Sequence, residues 1–310
     1  MSDMRQISVL SPSFSKNAVL KEKVLKYFPN TKLNLDGKRF NQDELIEFIK
    51  DSDGVIVGLE VINKEVLKDC SKLKIVSKYG VGLNNIDIDE CKLHDVAIGW
   101  SGGVNKLSVA EMTIGFMLML CRNLFLTSNQ LKNSFWNKSG GYQLSEKTIG
   151  IIGMGHIGKE VVRLLKPFNC KILVNDIIEQ ELYYQENGLV NCTKEYIFMN
   201  ADIITLHTPY NKYTEAMVDR GIFEIMKSNA FIINTARGGI IDEDALKFAL
   251  SEGLIAGAAI DTYVHEPPVD KDLLSLENLV CTPHIGGNSI EAVEAMGISA
   301  IEHLKGFFSR

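Results

Sequence analysis

Three side chains lying far apart in the chain are of the types that together move a proton at a carbonyl oxygen. A histidine exchanges protons near neutral pH. A carboxylate beside it stabilises the imidazolium and fixes the tautomer. An arginine grips a carboxylate through a planar fork of donors and polarises a neighbouring carbonyl. His284, Glu266 and Arg237 are candidates for these three parts. Each follows a nearly continuous apolar run: 231–235 precedes Arg237, 255–260 precedes Asp261 and then Glu266, and 279–282 precedes His284. A fourth run, 202–207, leads into His207-Thr208-Pro209.

A second constellation points to a phosphate-bearing partner. Gly153-Met154-Gly155-His156-Ile157-Gly158 fits G-x-G-x-x-G, follows the apolar run 148–152 and opens a helical stretch that Pro167 ends. The next apolar run finishes at Asp176. In that strand–turn–helix–strand–acid context the pattern reads as a dinucleotide fingerprint. Gly153 permits the tight turn, Gly155 lets a pyrophosphate approach the backbone, and Gly158 lets the helix pack close to the sheet. His156 and Ile157, in the first helical turn, offer N–H groups and a partial positive charge to the phosphates. Asp176 would accept from ribose hydroxyls and repel a 2′-phosphate, which favours NAD over NADP.

These residues need a scaffold that brings strand ends together. Apolar runs at 7–10, 54–57, 73–76 and 96–98 alternate with helical patterns at 18–27 and 43–49, which predicts a parallel sheet covered on both faces. Six further runs, at 148–152, 171–175, 202–207, 231–235, 255–260 and 279–282, predict a second, doubly wound sheet. Ser108 and Glu111 have capping-box spacing, and the apolar pattern after them predicts one long helix over 108–126. Residues 289–308 predict another. The expected fold class is α/β: two doubly wound parallel-sheet domains, with an NAD-binding Rossmann domain (101–287) inserted into a smaller flavodoxin-like substrate domain (1–100 and 288–310). Ligands of such sheets bind beyond the carboxyl ends of the strands, where the polar residues named above would converge.

Composition narrows the partners. A formal charge of −6 offers no basic stripe for phosphate backbones, so no nucleic-acid partner is expected. The most apolar stretch, 112–120, is too short to span a bilayer, and no membrane association or targeting segment is expected. The six cysteines form no Cys-x-x-Cys pair or metal-like spacing, so no metal is expected. Scattered free thiols fit a reducing, cytoplasmic compartment.

Taken in order, the stretch from 148 to Gly158, Leu206-His207-Thr208-Pro209, Asn234-Thr235-Ala236-Arg237-Gly238, Asp261 with Glu266-Pro267, and Thr282-Pro283-His284-Ile285-Gly286-Gly287 resemble the D-isomer-specific 2-hydroxyacid dehydrogenases. Ser108-Val109-Ala110-Glu111 and Phe135-Trp136-Asn137-Lys138 resemble the phosphoglycerate dehydrogenase branch, and a member without that branch's regulatory C-terminal domain is expected. The resemblance implies NAD as cofactor and a small D-2-hydroxy acid or 2-keto acid as substrate. 3-Phosphoglycerate, glyoxylate and hydroxypyruvate are the candidates. It implies Arg237 as substrate binder, Glu266 as the partner of the histidine, and His284 as acid/base. Asp261 would hold the nicotinamide carboxamide. His207, Thr208, Pro209, Thr235, Ala236 and Gly286 would line the cofactor cleft.

The segment Lys78-Tyr79-Gly80-Val81-Gly82-Leu83-Asn84-Asn85-Ile86-Asp87 matches the family's substrate loop. There the Val81 and Gly82 amides would grip the substrate carboxylate. Phosphoglycerate enzymes of the family hold the phosphate with basic side chains from the smaller domain. Lys78 could serve as one, whereas Gly58 has no side chain to offer. A homodimer through 108–126 and the loop near Trp136 is implied, with hinges near 98–103 and 285–289. Three other readings are weaker. The formate-oxidising branch carries glutamine where Glu266 stands. The short-chain oxidoreductases need a Tyr-x-x-x-Lys pair that this chain lacks. A non-enzymatic NAD-sensing scaffold of the same fold is the remaining alternative.

Overall fold

The computed structural model describes residues 3–309, which form two compact units. The first comprises the chain through Asn105 together with Asn288 onward, and the second runs from Lys106 to Gly287. The first crossing therefore lies at Asn105/Lys106 rather than at 100/101.

The first unit is built on β1 (Ile7–Val9), β2 (Thr31–Leu33), β3 (Gly54–Val57), β4 (Ile75–Lys78) and β5 (Ala97–Gly99). All pair parallel in the order β2-β1-β3-β4-β5. Side chains alternate between the two faces, as the two-residue period of a strand requires. Val55, Val57 and Val76 pack with Leu45, Ile49 and Val66, whereas Ile7, Val9, Ile56 and Ile75 pack with Leu20, Val24 and Leu304. Leu304 belongs to the helix Ile290–Phe308, which Ser289 caps through its side chain.

The second unit holds β6 (Thr148–Ile152), β7 (Lys171–Asn175), β8 (Val190–Asn191), β9 (Ile203–Leu206), β10 (Phe231–Asn234), β11 (Gly257–Ile260) and β12 (Leu279–Cys281). All pair parallel in the order β12-β11-β10-β9-β6-β7-β8. One face packs Ile149, Ile151, Ile203 and Ile233 under the helices Lys106–Cys121 and His156–Leu165, through residues such as Phe116, Met117, Val161 and Leu165. The other packs Ile152, Ile204, Leu206, Ile232 and Ile260 against Phe198, Phe223 and Leu246.

Three expectations change. Strands β2 and β8 were not expected, so the second sheet has seven strands. Both lie at sheet edges, and β8 is exposed along its whole length, so neither needs an apolar run. The helix expected over 108–126 is two helices, Lys106–Cys121 and Leu124–Lys132, separated where Asn123 turns left-handed (φ 51°). Ser108 is thus no N-cap. It stands inside the helix and donates its hydroxyl to the Gly286 carbonyl (2.6 Å). Among the described residues no single helix is long and apolar enough to cross a membrane, and these two are bent by 64° to one another.

Candidate active site

Strand register creates the site. Ile152 of β6 lies level with Asn175 of β7 and Leu206 of β9. Leu206 lies level with Asn234, Asn234 with Ile260, and Ile260 with Cys281. The next residue along each strand is a predicted site residue or its neighbour: Gly153, Asp176, His207, Thr235, Asp261 and Thr282. The ladder itself runs on into this row, since the N–H groups of Gly153, His207, Asp261 and Thr282 donate to Asn175, Ile152, Asn234 and Ile260 respectively.

The glycine turn fits a pyrophosphate. Gly153 has φ 101°, and a Cβ there would strike the His207 carbonyl. A Cβ on Gly158 would collide with the Gly153 carbonyl. Gly155 differs, because a Cβ there would meet nothing within 4 Å. It is the N-cap of the helix His156–Leu165 and has no side chain to satisfy the first N–H groups. Those donors and the empty space over Gly155 are what an anion requires. Thr208 Oγ1 and His207 Nδ1 are buried without a partner, a second sign of a polar ligand beside the turn. Asp176 accepts the Met154 N–H (2.5 Å) through Oδ2 and the Ile178 N–H (2.8 Å) through Oδ1, so it holds the turn from within.

Glu266 and His284 meet. His284 Nδ1 lies 2.9 and 2.8 Å from the two carboxylate oxygens of Glu266. A carboxylate accepts, so Nδ1 carries the proton, and ring geometry turns Nε2 away from Glu266. His284 sits in the left-handed region (φ 53°). Asp261 braces that turn. Its Oδ1 accepts from Thr282 Oγ1 (2.6 Å) and the Ile285 N–H (2.8 Å), and its Oδ2 accepts from the Gly286 N–H (2.8 Å). One lone pair of Oδ2 remains for a further donor.

Arg237 lies on the turn after β10. That turn is stitched by Asn234, which accepts from the Ala236 N–H (3.0 Å) and donates to the Arg237 carbonyl (2.9 Å). The guanidinium is half-buried and donates to the Ala236 carbonyl (2.6 Å). Burial pulls its pKa down, against the pull of the nearby Glu266 carboxylate. Thr235 and Ala236 are buried, and Thr235 Oγ1 meets Thr113 Oγ1 at 3.1 Å. Pro209 is exposed.

The three substrate-loop residues lie in the first unit. Lys78 is buried, and its ammonium donates to the Gly58 carbonyl (2.5 Å) and to Asn85 Oδ1 (2.6 Å). Both acceptors are neutral, so the ammonium keeps its charge while two of its three donors fasten the loop. Val81 and Gly82 are half-buried, and Trp100 Nε1 donates to the Val81 carbonyl (2.9 Å). Asn85, Trp100, Asn234 and Tyr263 were missed as supporting residues. Only the family motifs around Asn85 and Asn234 carried any signal for them.

Two predictions follow from this geometry. Replacing Gly155 by Val should lower the unfolding midpoint only slightly, as valine is a poorer N-cap, but weaken NADH binding roughly tenfold or more, read by cofactor fluorescence titration. Unaltered affinity would remove the turn from the cofactor site. Burial pulls His207 down to about 3. The unfolded chain takes up a proton near pH 6.5 that the native state refuses, so this contribution to stability is full above pH 6.5 and falls as pH drops toward 3. Urea titrations across that interval should show a shallower loss for His207→Asn than for the parent protein.

Comparison with known proteins agrees with the geometry. Residues 114–286 match the model of the D-isomer specific 2-hydroxyacid dehydrogenase, NAD binding domain. The chain is 38% identical over 270 residues to a D-3-phosphoglycerate dehydrogenase from Methanocaldococcus jannaschii, covering 85% of this chain and 51% of that protein. It therefore spans about half the length of that relative. It is 33% identical to a hydroxypyruvate reductase from Thermotoga maritima, covering 88% of this chain and 90% of the relative. A D-lactate dehydrogenase from Aquifex aeolicus, solved with NAD and lactic acid, superposes with a TM-score of 0.84 at 25% identity, over 98% of this chain and 95% of that one. The chain belongs to the D-isomer specific 2-hydroxyacid dehydrogenase family.

Proposed function

We propose that this protein is an NAD-dependent oxidoreductase that interconverts a small D-2-hydroxy acid and its 2-keto acid. The carrying observation is the pairing of His284 Nδ1 with both oxygens of Glu266, on the same strand-end edge as the open turn at Gly155. When bound, the nicotinamide supplies or accepts the hydride at C2 of the substrate. His284 gives the matching proton to the substrate oxygen in reduction and takes it in oxidation. Glu266 keeps the Nδ1 proton in place and stabilises the imidazolium. Arg237, half-buried and not neutralised by a direct ion pair among the described residues, takes the substrate carboxylate, and desolvation strengthens that grip. Asp261 offers its remaining Oδ2 lone pair to the carboxamide. His156, Ile157, Gly158, Thr208, Pro209, Thr235, Ala236 and Gly286 complete the dinucleotide cleft, with Asp176 at the ribose.

In the first unit the Val81 and Gly82 N–H groups are the donors assigned to the substrate carboxylate. Glyoxylate or hydroxypyruvate fits better than a phosphorylated acid. Supporting the smaller acids, Lys78 is buried with two of its three donors already used on Gly58 and Asn85, and Gly58 has no side chain to offer a phosphate dianion a second cation. The protein acts in the cytoplasm as a homodimer. Supporting the homodimer, the helix Leu124–Lys132 buries none of its residues, leaves Leu124 and Leu131 exposed, and is followed by exposed Phe135 and Trp136.

The test is a panel of 2-keto acids, with and without phosphate, scored by loss of NADH absorbance. Turnover of an unphosphorylated acid is expected, and no turnover of any would overturn the reading. In His284→Ala, turnover should fall roughly 10²–10⁴-fold with NADH affinity kept. An active variant would remove His284 from the chemistry.

A further inference from the structure

Tyr263 is a residue that the proton chemistry does not use, yet it touches each arm of the site. Its backbone N–H donates to Glu266 Oε1 (3.2 Å). Its phenol donates to the Thr282 carbonyl (3.0 Å). That carbonyl also accepts the His284 N–H (3.0 Å), closing the tight turn over Pro283 that carries the imidazole. Its own carbonyl occupies the space a Cβ on Gly238 would need, beside Arg237. The ring is only 6% exposed. Burial, and after it the neighbouring Cys281 thiol, raises the phenol pKa, so the group stays protonated and acts as a donor.

Packing accounts for the ring but not for its oxygen, since a phenylalanine would fill the same space. A buried hydroxyl is tolerated when its hydrogen bond is made. Here the acceptor is the carbonyl at the base of the His284 turn. A non-glycine residue at φ 53° persists only where its surroundings over-determine it. Two donors meet on Thr282 O at that point, one from the histidine's own backbone and one from the element that carries Glu266.

We propose that the Tyr263 hydroxyl is a positioning group that locks the two halves of the Glu266–His284 couple together. The proposal rests on the dehydrogenase reading. It assigns Tyr263 no contact with substrate, cofactor or reacting atoms. Its effect is to keep the imidazole at hydrogen-bond distance from the carboxylate during proton exchange, and so to act on turnover rather than on binding.

Tyr263→Phe removes one oxygen and keeps the packing. Its turnover with the best keto acid should fall roughly 3–10-fold, the worth of one ordinary hydrogen bond felt in the transition state. The Kd for NADH and the KM for the keto acid should stay within about twofold. In a Glu266→Ala background, where the couple is already broken, the same change should cost less than about twofold, because residues acting through one network are non-additive. Equal losses in both backgrounds would overturn the proposal, as would unchanged turnover or a parallel loss of NADH affinity. Far-ultraviolet circular dichroism at the assay temperature checks the fold. If Tyr263→Phe does not fold, 3-fluorotyrosine at position 263, which keeps the ring and oxygen and strengthens the donor, should hold turnover within about twofold or raise it. A larger loss of turnover with that residue also overturns the proposal. Wild-type protein inactive on every keto acid would remove the dehydrogenase reading itself. Active wild type with an indifferent Tyr263→Phe removes only the tyrosine's role.

Discussion

Parallel pairing in register is the constraint on which the rest depends. The row Asn175, Ile152, Leu206, Asn234, Ile260 and Cys281 ends the regular core of the second sheet at one level. Below it, side chains alternate between two apolar layers and fix each strand's position. Above it, the chain is released into turns. Slipping one strand by one residue would send its core side chains to the wrong face and withdraw its contribution to the site by about 3.3 Å. Residues separated by more than a hundred positions therefore face a common edge because the buried layers beneath them admit only one alignment.

Above that row, backbone hydrogen bonds to side chains replace the ladder. Asn234 closes the turn that bears Arg237, and Asp261 clamps the turn that bears His284. Each is buried, so each polar atom must be matched, and the matching fixes the loops. The first unit uses the same device with a different residue. There Lys78 and Asn85 tie the loop after β4 to the carbonyl groups of Gly58 and Glu60.

Much of this was legible in the sequence because several levels agreed. The fingerprint from Gly153 to Gly158 could be read because the strand before it, the helix after it and the acid at 176 each left a separate signal. Arg237, Glu266 and His284 could be read because each stood beyond an apolar run. What escaped notice were features with no local signature. Strand β2 is Thr-Lys-Leu and half-exposed, and β8 is two exposed residues, so pairing at an edge defines them rather than composition. The break at Asn123 interrupts an apolar pattern that runs through it. Lys78 reads as a surface charge in one dimension, and only the fold shows it buried with two neutral oxygens accepting from its ammonium. The oxygen of Tyr263 is likewise invisible until Thr282, nineteen positions on, is placed beside it.

Asp176 has a consequence for how cofactor choice evolves. The acid is usually thought of as a sensor at the end of a strand, exchangeable for a neutral or basic residue when the preferred dinucleotide changes. Here the same carboxylate also fastens the backbone at Met154 and Ile178. A lineage that replaced this acid on the way to another coenzyme would also release its own glycine turn. A replacement that keeps a side-chain acceptor there avoids the loss, so the backbone role narrows which substitutions are open.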